Sequence, residues 1–241
     1  ASLYGLFALK SGISIPTLFL IMALMNAAVA LFIFTLVPEF IMRLMVWLLI
    51  HTVYRVNKIN LEKIPANGPL VLVCNHVSFV DALVLIGSIR RPIRFIMYYK
   101  IFQIPLLSFI FKTANAIPIA GAKADPALMK QAFDKVSEAL NNDEVVCIFP
   151  EGKITDNGEM NEFKGGISRI IKRDPVPVVP LALRGLWGSF FSRKYGNAMT
   201  RFLPRGLFSR IDLIADDAIA PSDVTPNKLF DTVLELRGEN R

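Results

Sequence analysis

The sequence predicts an α/β protein, a sheet flanked by helices, preceded by one long apolar helix. Three observations carry that expectation. Pro69–Cys74 and Glu144–Phe149 are short apolar runs rich in β-branched residues, and they read as buried strands. Pro126–Asn141 has a helical period, with Leu128, Ala132, Phe133, Val136 and Leu140 on one stripe and Lys130, Asp134, Lys135 and Glu138 elsewhere. Between Ser11 and Pro38 there is no charged residue at all.

That front end explains the composition. With 53% hydrophobic residues and a mean hydropathy of +0.46, the chain is too apolar for an ordinary soluble domain. Its 241 residues suit one domain of moderate size plus an appendage. As a helix, Thr17–Val37 would span about 31 Å, close to the hydrocarbon thickness of a bilayer. A signal peptide would have a shorter apolar region and a small-residue cleavage site; a buried helix of a soluble protein is the other reading. Asn26 in mid-span reads as a helix–helix contact.

The expected division is a transmembrane helix at 1–38, an interfacial amphipathic helix at 39–58 and a catalytic domain at 59–241. Phe40–Val56 mixes apolar bulk with Arg43, Trp47, His51, Tyr54 and Arg55, which suits a helix lying among lipid headgroups. A core helix of the catalytic domain is the alternative. Arg43, Arg55 and Lys58 after the span, against Lys10 before it, favour the cytoplasmic side of the cell (inner) membrane for the catalytic domain.

Along the domain, 59–69 reads as a loop, 93–99 and 116–119 as strands, and 101–111 as an apolar helix or membrane-touching loop. The run 176–183 reads as a strand whose Pro177 and Pro180 imply an edge or bulge. A last strand at 211–215 and a helix at 227–237 complete the chain. Arg184–Arg210 carries Arg184, Arg193, Lys194, Arg201, Arg205 and Arg210 without an acid, interleaved with Trp187, Phe190, Phe191, Tyr195, Phe202 and Phe208. Nucleic-acid proteins use such mixtures, but beside so apolar a front end an anionic membrane surface fits better. A solvated basic loop over core aromatics is the remaining reading. No nucleic-acid partner is expected.

The chemistry concentrates at Asn75-His76-Val77-Ser78-Phe79-Val80-Asp81. His76 would stand at the carboxyl end of a strand, where α/β proteins place ligands. Imidazole suits proton transfer near neutrality, and a carboxylate on its second nitrogen fixes tautomer and orientation. Across a strand-to-helix turn Asp81 can return towards His76. With no attached serine or cysteine nucleophile, such a pair would activate a hydroxyl on the substrate. A polar loop histidine beside a helix-capping aspartate has the same spacing. The second strand runs into Pro150-Glu151-Gly152-Lys153, where glycine allows close backbone approach and lysine offers a charge for a phosphate.

Together, Asn75-His76-x4-Asp81 and Phe149-Pro150-Glu151-Gly152 resemble the paired blocks of the glycerolipid acyltransferases, the family that includes lysophosphatidate acyltransferases. The resemblance runs from Leu61 to Leu183. It implies a central mixed sheet and transfer of an acyl group to the free hydroxyl of a lysophospholipid. The implied acceptor is 1-acylglycerol-3-phosphate or 2-acylglycerophosphoethanolamine. The implied donor is an acyl thioester, acyl-CoA or an acyl chain on acyl carrier protein. His76 would be the general base and Asp81 its orienting partner. Asn75 and Ser78 would shape the turn, and Glu151, Gly152 and Lys153 would position the glycerophosphate.

Where the family tends to carry a phosphate-binding arginine after a short strand, this chain has Ala120-Gly121-Ala122-Lys123, with Lys123 as substitute. Lys153-Ile154 replaces a usual Thr-Arg, and Lys164 adds a nearby charge. Those departures also suit a phosphodiester headgroup and resemble the acyltransferase that recycles 2-acyl lysophospholipids. The front end resembles the last span of a lysophospholipid transporter fused to such a domain. Neither a cofactor nor a metal is expected: Cys74 and Cys147 lack companion ligands and read as core thiols. A lipid hydrolase using the same pair on water, or a non-catalytic lipid-binding module, would share these motifs.

Overall fold

The computed structural model describes residues 12, 14–121, 123–194, 196 and 208–239. The chain divides into two compact units, Ala1–Ile41 and Met42–Arg241. The first contains α1 (Ile15–Leu36), which opens on a Ser14 side chain that accepts the Thr17 N–H at 3.3 Å. Its segment Ile15–Phe34 is long and apolar enough to cross a membrane, and its side chains are exposed rather than packed. Lys10 and Ser11, before it, lie outside the described residues.

The second unit is built on a seven-stranded sheet. Its strands are β1 (Arg55–Ile59), β2 (Leu70–Cys74), β3 (Ile93–Tyr98), β4 (Ile117–Ile119), β5 (Val145–Ile148), β6 (Val178–Arg184) and β7 (Arg210–Ala215). Their order across the sheet is β1-β7-β6-β2-β5-β3-β4. From β6 to β4 every pairing is parallel. β7 runs antiparallel to β6, and β1 parallel to β7, so the sheet is mixed.

The central strands are apolar at consecutive positions because both faces are covered. On one face Leu70, Leu72, Cys74, Cys147, Leu181 and Leu183 pack with α2 (Pro38–Val53), α3 (Asp81–Ser88) and Phe111 of α4 (Pro105–Thr113). On the other, Val71, Val73, Val146 and Ala182 meet α5 (Pro126–Asn141), α6 (Gly166–Arg173) and α7 (Pro226–Arg237). The expected stripe of α5 holds: Ala132, Val136 and Leu140 are buried.

Three expectations need correction. The segment 39–58 is not one helix: α2 stops at Val53, and Arg55–Ile59 pairs along β7 as an edge strand. Nor is α2 free of the core, because Met42, Val46 and Ile50 belong to it, while Leu44, Met45, Trp47, Leu48 and Leu49 stay exposed. Finally, the strand holding Pro180 is interior. The Pro180 carbonyl accepts Asp216 N–H on the β7 side, at the point where the β6·β7 ladder ends. A residue's N and O point to the same side of a strand, so proline's missing donor falls where no partner strand continues.

Candidate active site

β2, β5 and β6 are neighbours, and the segments leaving their carboxyl ends meet: 75–81, 149–165 and 185–194. The chain leaves β2 towards β3 on one side, while β6 lies on the other, the switch-point arrangement at which open α/β sheets hold ligands.

Each segment is fastened by side chains whose spacing alone says little. Asn75, fully buried, donates to Leu183 O at 3.0 Å and accepts Leu183 N–H at 2.8 Å. Its amide thereby extends the β2·β6 ladder one step beyond Cys74. The Phe79 N–H donates to Phe191 O at 3.2 Å, and Ser78 bridges to Ser192, so the segment after β6 closes over the turn. Thr155 N–H donates to the carbonyl of His76 at 3.0 Å, which ties on the segment after β5.

Inside this frame the Asp81 carboxylate is fully buried at the first residue of α3. One oxygen, Oδ2, accepts the N–H of Val77 at 2.7 Å and of Ser78 at 2.9 Å, and lies 2.8 Å from His76 Nδ1. It does not cap the helix ahead of it; it gathers the turn behind it. An ionised carboxylate only accepts, so Nδ1 carries the proton and Nε2 keeps a free lone pair. The imidazole stacks on Phe149 with centroids 4.3 Å apart, which fixes its plane, and its side chain is 20% exposed. Burial pushes the Tyr54 hydroxyl up to about 12, and the nearby Asp81 charge adds to the rise.

Glu151 is turned inward, against the expectation that it faces substrate. It is 1% exposed, and both oxygens are occupied. Oε1 accepts the His76 backbone N–H at 2.7 Å; Oε2 accepts Asn161 N–H at 2.7 Å and its side-chain amide at 2.9 Å. Burial pushes its pKa above the ordinary carboxylate value, and the bonds from Asn161 and His76 pull it part of the way back. Asn161 carries no sequence signal; only its fold position shows that it braces Glu151.

The lysines separate into two groups. Gly152 has φ +67°, and a Cβ there would lie 2.6 Å from Lys164 Nζ, so the glycine leaves room for that ammonium over the loop. Lys153 pairs with Asp156 at 3.3 Å. Lys123, by contrast, lies beyond the end of β4, three strands across from β2, and is not gathered with the others. Of the basic segment, Tyr195, Arg201, Phe202 and Arg205 lie outside the described residues, while Arg184 binds the Leu236 carbonyl at the end of α7. Cys74 and Cys147 are free and fully buried, and burial pushes both thiols up, so neither offers a thiolate nucleophile. Among the described residues no cluster of His, Cys, Asp and Glu fits a metal ion.

The comparisons agree with this architecture. The crystal structure of the 1-acyl-sn-glycerophosphate (LPA) acyltransferase PlsC from Thermotoga maritima superposes with a TM-score of 0.55 at 21% identity, over 77% of this chain and 70% of that one. A chloroplastic 1-acyl-sn-glycerol-3-phosphate acyltransferase of Arabidopsis thaliana is 30% identical over 61% of this chain and 41% of its own length. One of Brassica napus is 28% identical over 75% of this chain and 53% of its own. The chain thus spans about half the length of these curated relatives. The family model described as Acyltransferase matches residues 55–184, more than half of the 241. With both motif blocks inside that stretch, the chain belongs to the glycerolipid acyltransferase family.

Proposed function

We propose that this protein transfers a fatty acyl group from an acyl thioester, acyl-CoA or acyl carrier protein, to the free glycerol hydroxyl of a lysophospholipid. The relatives' names make 1-acylglycerol-3-phosphate the first acceptor to try. The observation that carries the reading is the His76–Asp81 pair, held at 2.8 Å where the ends of β6, β2 and β5 converge.

His76 Nε2 takes the proton of the acceptor hydroxyl as its oxygen attacks the thioester carbonyl. The C–O bond forms, the C–S bond breaks, and the imidazolium returns the proton to the departing sulfur. Asp81 holds the ring and offsets the imidazolium charge. Glu151 does not touch substrate in this scheme; it positions His76 through the backbone, and Asn75 and Ser78 hold the turn. Gly152 gives Lys164 its place, and Lys153 and Lys164 supply charge for the glycerophosphate. The helix α1 spans the membrane from which the acceptor comes, with the catalytic unit on the cytoplasmic side. Its length and composition, and the basic residues after it, support that reading.

The test is acyl transfer in liposomes or detergent, wild type against His76→Ala. General-base help is worth about 10²–10⁴-fold, so the variant should lose that much turnover while melting at an unchanged temperature. Retention of most of the activity would remove His76 as the base. Release of free fatty acid in place of a diacyl product would mark a hydrolase, and ligand binding with no turnover a lipid-binding module.

A further inference from the structure

Arg193 was no part of the motif blocks, yet the fold carries it to the site. It leaves the segment after β6, and its guanidinium lies 5.7 Å from the centroid of the Phe79 ring, within the His76–Asp81 turn. The same guanidinium is 2.8 Å from Asp156 Oδ1. Asp156 follows Thr155, whose N–H is bound to the His76 carbonyl, so the pair stands beside the catalytic turn. The other oxygen of Asp156 holds Lys153 at 3.3 Å. Lys164 Nζ reaches the neighbouring Gly152.

Two cations from two segments therefore meet on one carboxylate, and a third, Lys164, lies over the neighbouring Gly152, so that the three cations and Asp156 carry a net positive charge of two. Arg193 and Lys153 together hold the Asp156 carboxyl below its usual range, Arg193 contributing more. Both remain accessible, with side chains 41% and 55% exposed. A solvated surface pair contributes little to stability. A planar guanidinium and two ammonium groups in one place match the oxygens of a phosphate monoester.

We propose that Arg193, with Lys153 and Lys164, binds a substrate phosphate, that of the acceptor, and that Asp156 is the counter-ion this phosphate displaces. The inference rests on the acyl-transfer reading for the name of the substrate. Four bonds separate the phosphorus of a glycerol-3-phosphate from the oxygen on its middle carbon. A base that reaches that hydroxyl thus brings the phosphate close beside itself. The cluster beside the His76 turn lies where such a phosphate falls, whereas the phosphates of a coenzyme A donor are separated from its reacting carbonyl by the whole pantetheine arm.

Two substitutions separate a substrate role from a structural latch, since each breaks the same ion pair. Binding of a short-chain lysophosphatidate to the detergent-solubilised full chain is measured by calorimetry. Initial rates are then taken against lysophosphatidate, the uncharged monoacylglycerol and the acyl donor. Arg193→Ala should weaken lysophosphatidate binding and raise its KM about tenfold, the usual worth of a charge-assisted contact. Values for monoacylglycerol and for the donor should stay unchanged. Asp156→Asn should act in the opposite sense, tightening binding by releasing both cations, and it also serves if Arg193→Ala folds poorly. Losses of the same sign in both variants, no change in either, or a shift confined to the donor would each overturn the proposal. A wild type that binds lysophosphatidate through Arg193 but makes no diacyl product would sink the acyltransferase reading and leave the phosphate site standing.

Discussion

Glu151 shows how far a residue's role depends on the direction its side chain takes. Beside Gly152 and Lys153 it reads as a substrate contact, but its oxygens end on His76 N and Asn161, away from solvent. Its raised pKa has a consequence for stability. In the unfolded chain the carboxyl releases its proton near the usual value of about 4.5; in the folded protein it does so at higher pH. Between the two, the folded state binds more protons, so the contribution is fully present below the unfolded value and is lost as pH rises through the folded one. Glu151→Gln cannot ionise. Melting temperatures of wild type and Glu151→Gln, followed from pH 4 upwards, should diverge as pH increases, with the wild type losing ground across that window. Parallel curves would mean that Glu151 titrates as an ordinary exposed acid. The same variant keeps one acceptor oxygen but no charge, so His76 should be held less firmly and turnover should fall less than in His76→Ala.

Elements were legible from the sequence in proportion to how local their determinants are. α5 begins at Pro126 after Asp125, whose carboxylate accepts Leu128 N–H at 2.9 Å, and it ends at Asn141, as its stripe requires. β2 and β5 announce themselves because burial on both faces makes every position apolar. β1 did not, since Arg55-Val-Asn-Lys-Ile is a half-exposed edge paired with β7, more than 150 residues later. Asn75 likewise reads as a turn residue, and only the neighbouring β6 turns its amide into a ladder rung. The buried side of α2 was obscured by the apolar residues on its exposed side.

That packing of α2 is tight. A Cβ on Gly87 of α3 would lie 2.4 Å from Ile50 Cδ1 and 3.5 Å from Trp47 Cα. Gly87→Val should separate the two helices and cost about 1–3 kcal/mol of stability, the usual scale for overpacking, read as a lower denaturant midpoint. Restored stability in Gly87→Val combined with Ile50→Ala would confirm that contact as the cause; an unaffected Gly87→Val single variant would show that the helices adjust freely.

At the scale of the molecule, two apolar surfaces stay exposed for different reasons. Ile15–Phe34 has a mean hydropathy of 2.4 over its most apolar window, with none of it buried. Its 20 residues correspond to about 30 Å of helix, enough to cross the hydrocarbon. α2 is instead two-sided: Val46 and Ile50 are committed to the core, while Leu44, Met45, Trp47, Leu48 and Leu49 are each more than 40% exposed. Its 16 residues make about 24 Å of helix, too short to cross the hydrocarbon, but its outer face can rest in the headgroup region. The two surfaces should therefore respond differently to truncation. The whole chain expressed in bacteria should stay in the membrane fraction through alkaline carbonate and high salt. A chain beginning at Pro38 keeps α2 and the entire sheet; it should come off in carbonate yet still sediment with phospholipid vesicles at neutral pH. High salt should weaken that binding only partly, because apolar contact is not screened as charge is. Replacing Trp47 and Leu48 with Ser in the shortened chain should then abolish sedimentation while leaving acyl transfer to a detergent-dispersed acceptor intact. Sedimentation unchanged by those substitutions would place the second contact elsewhere, with Ile104 and Phe109, exposed around the start and middle of α4, the next surface to alter.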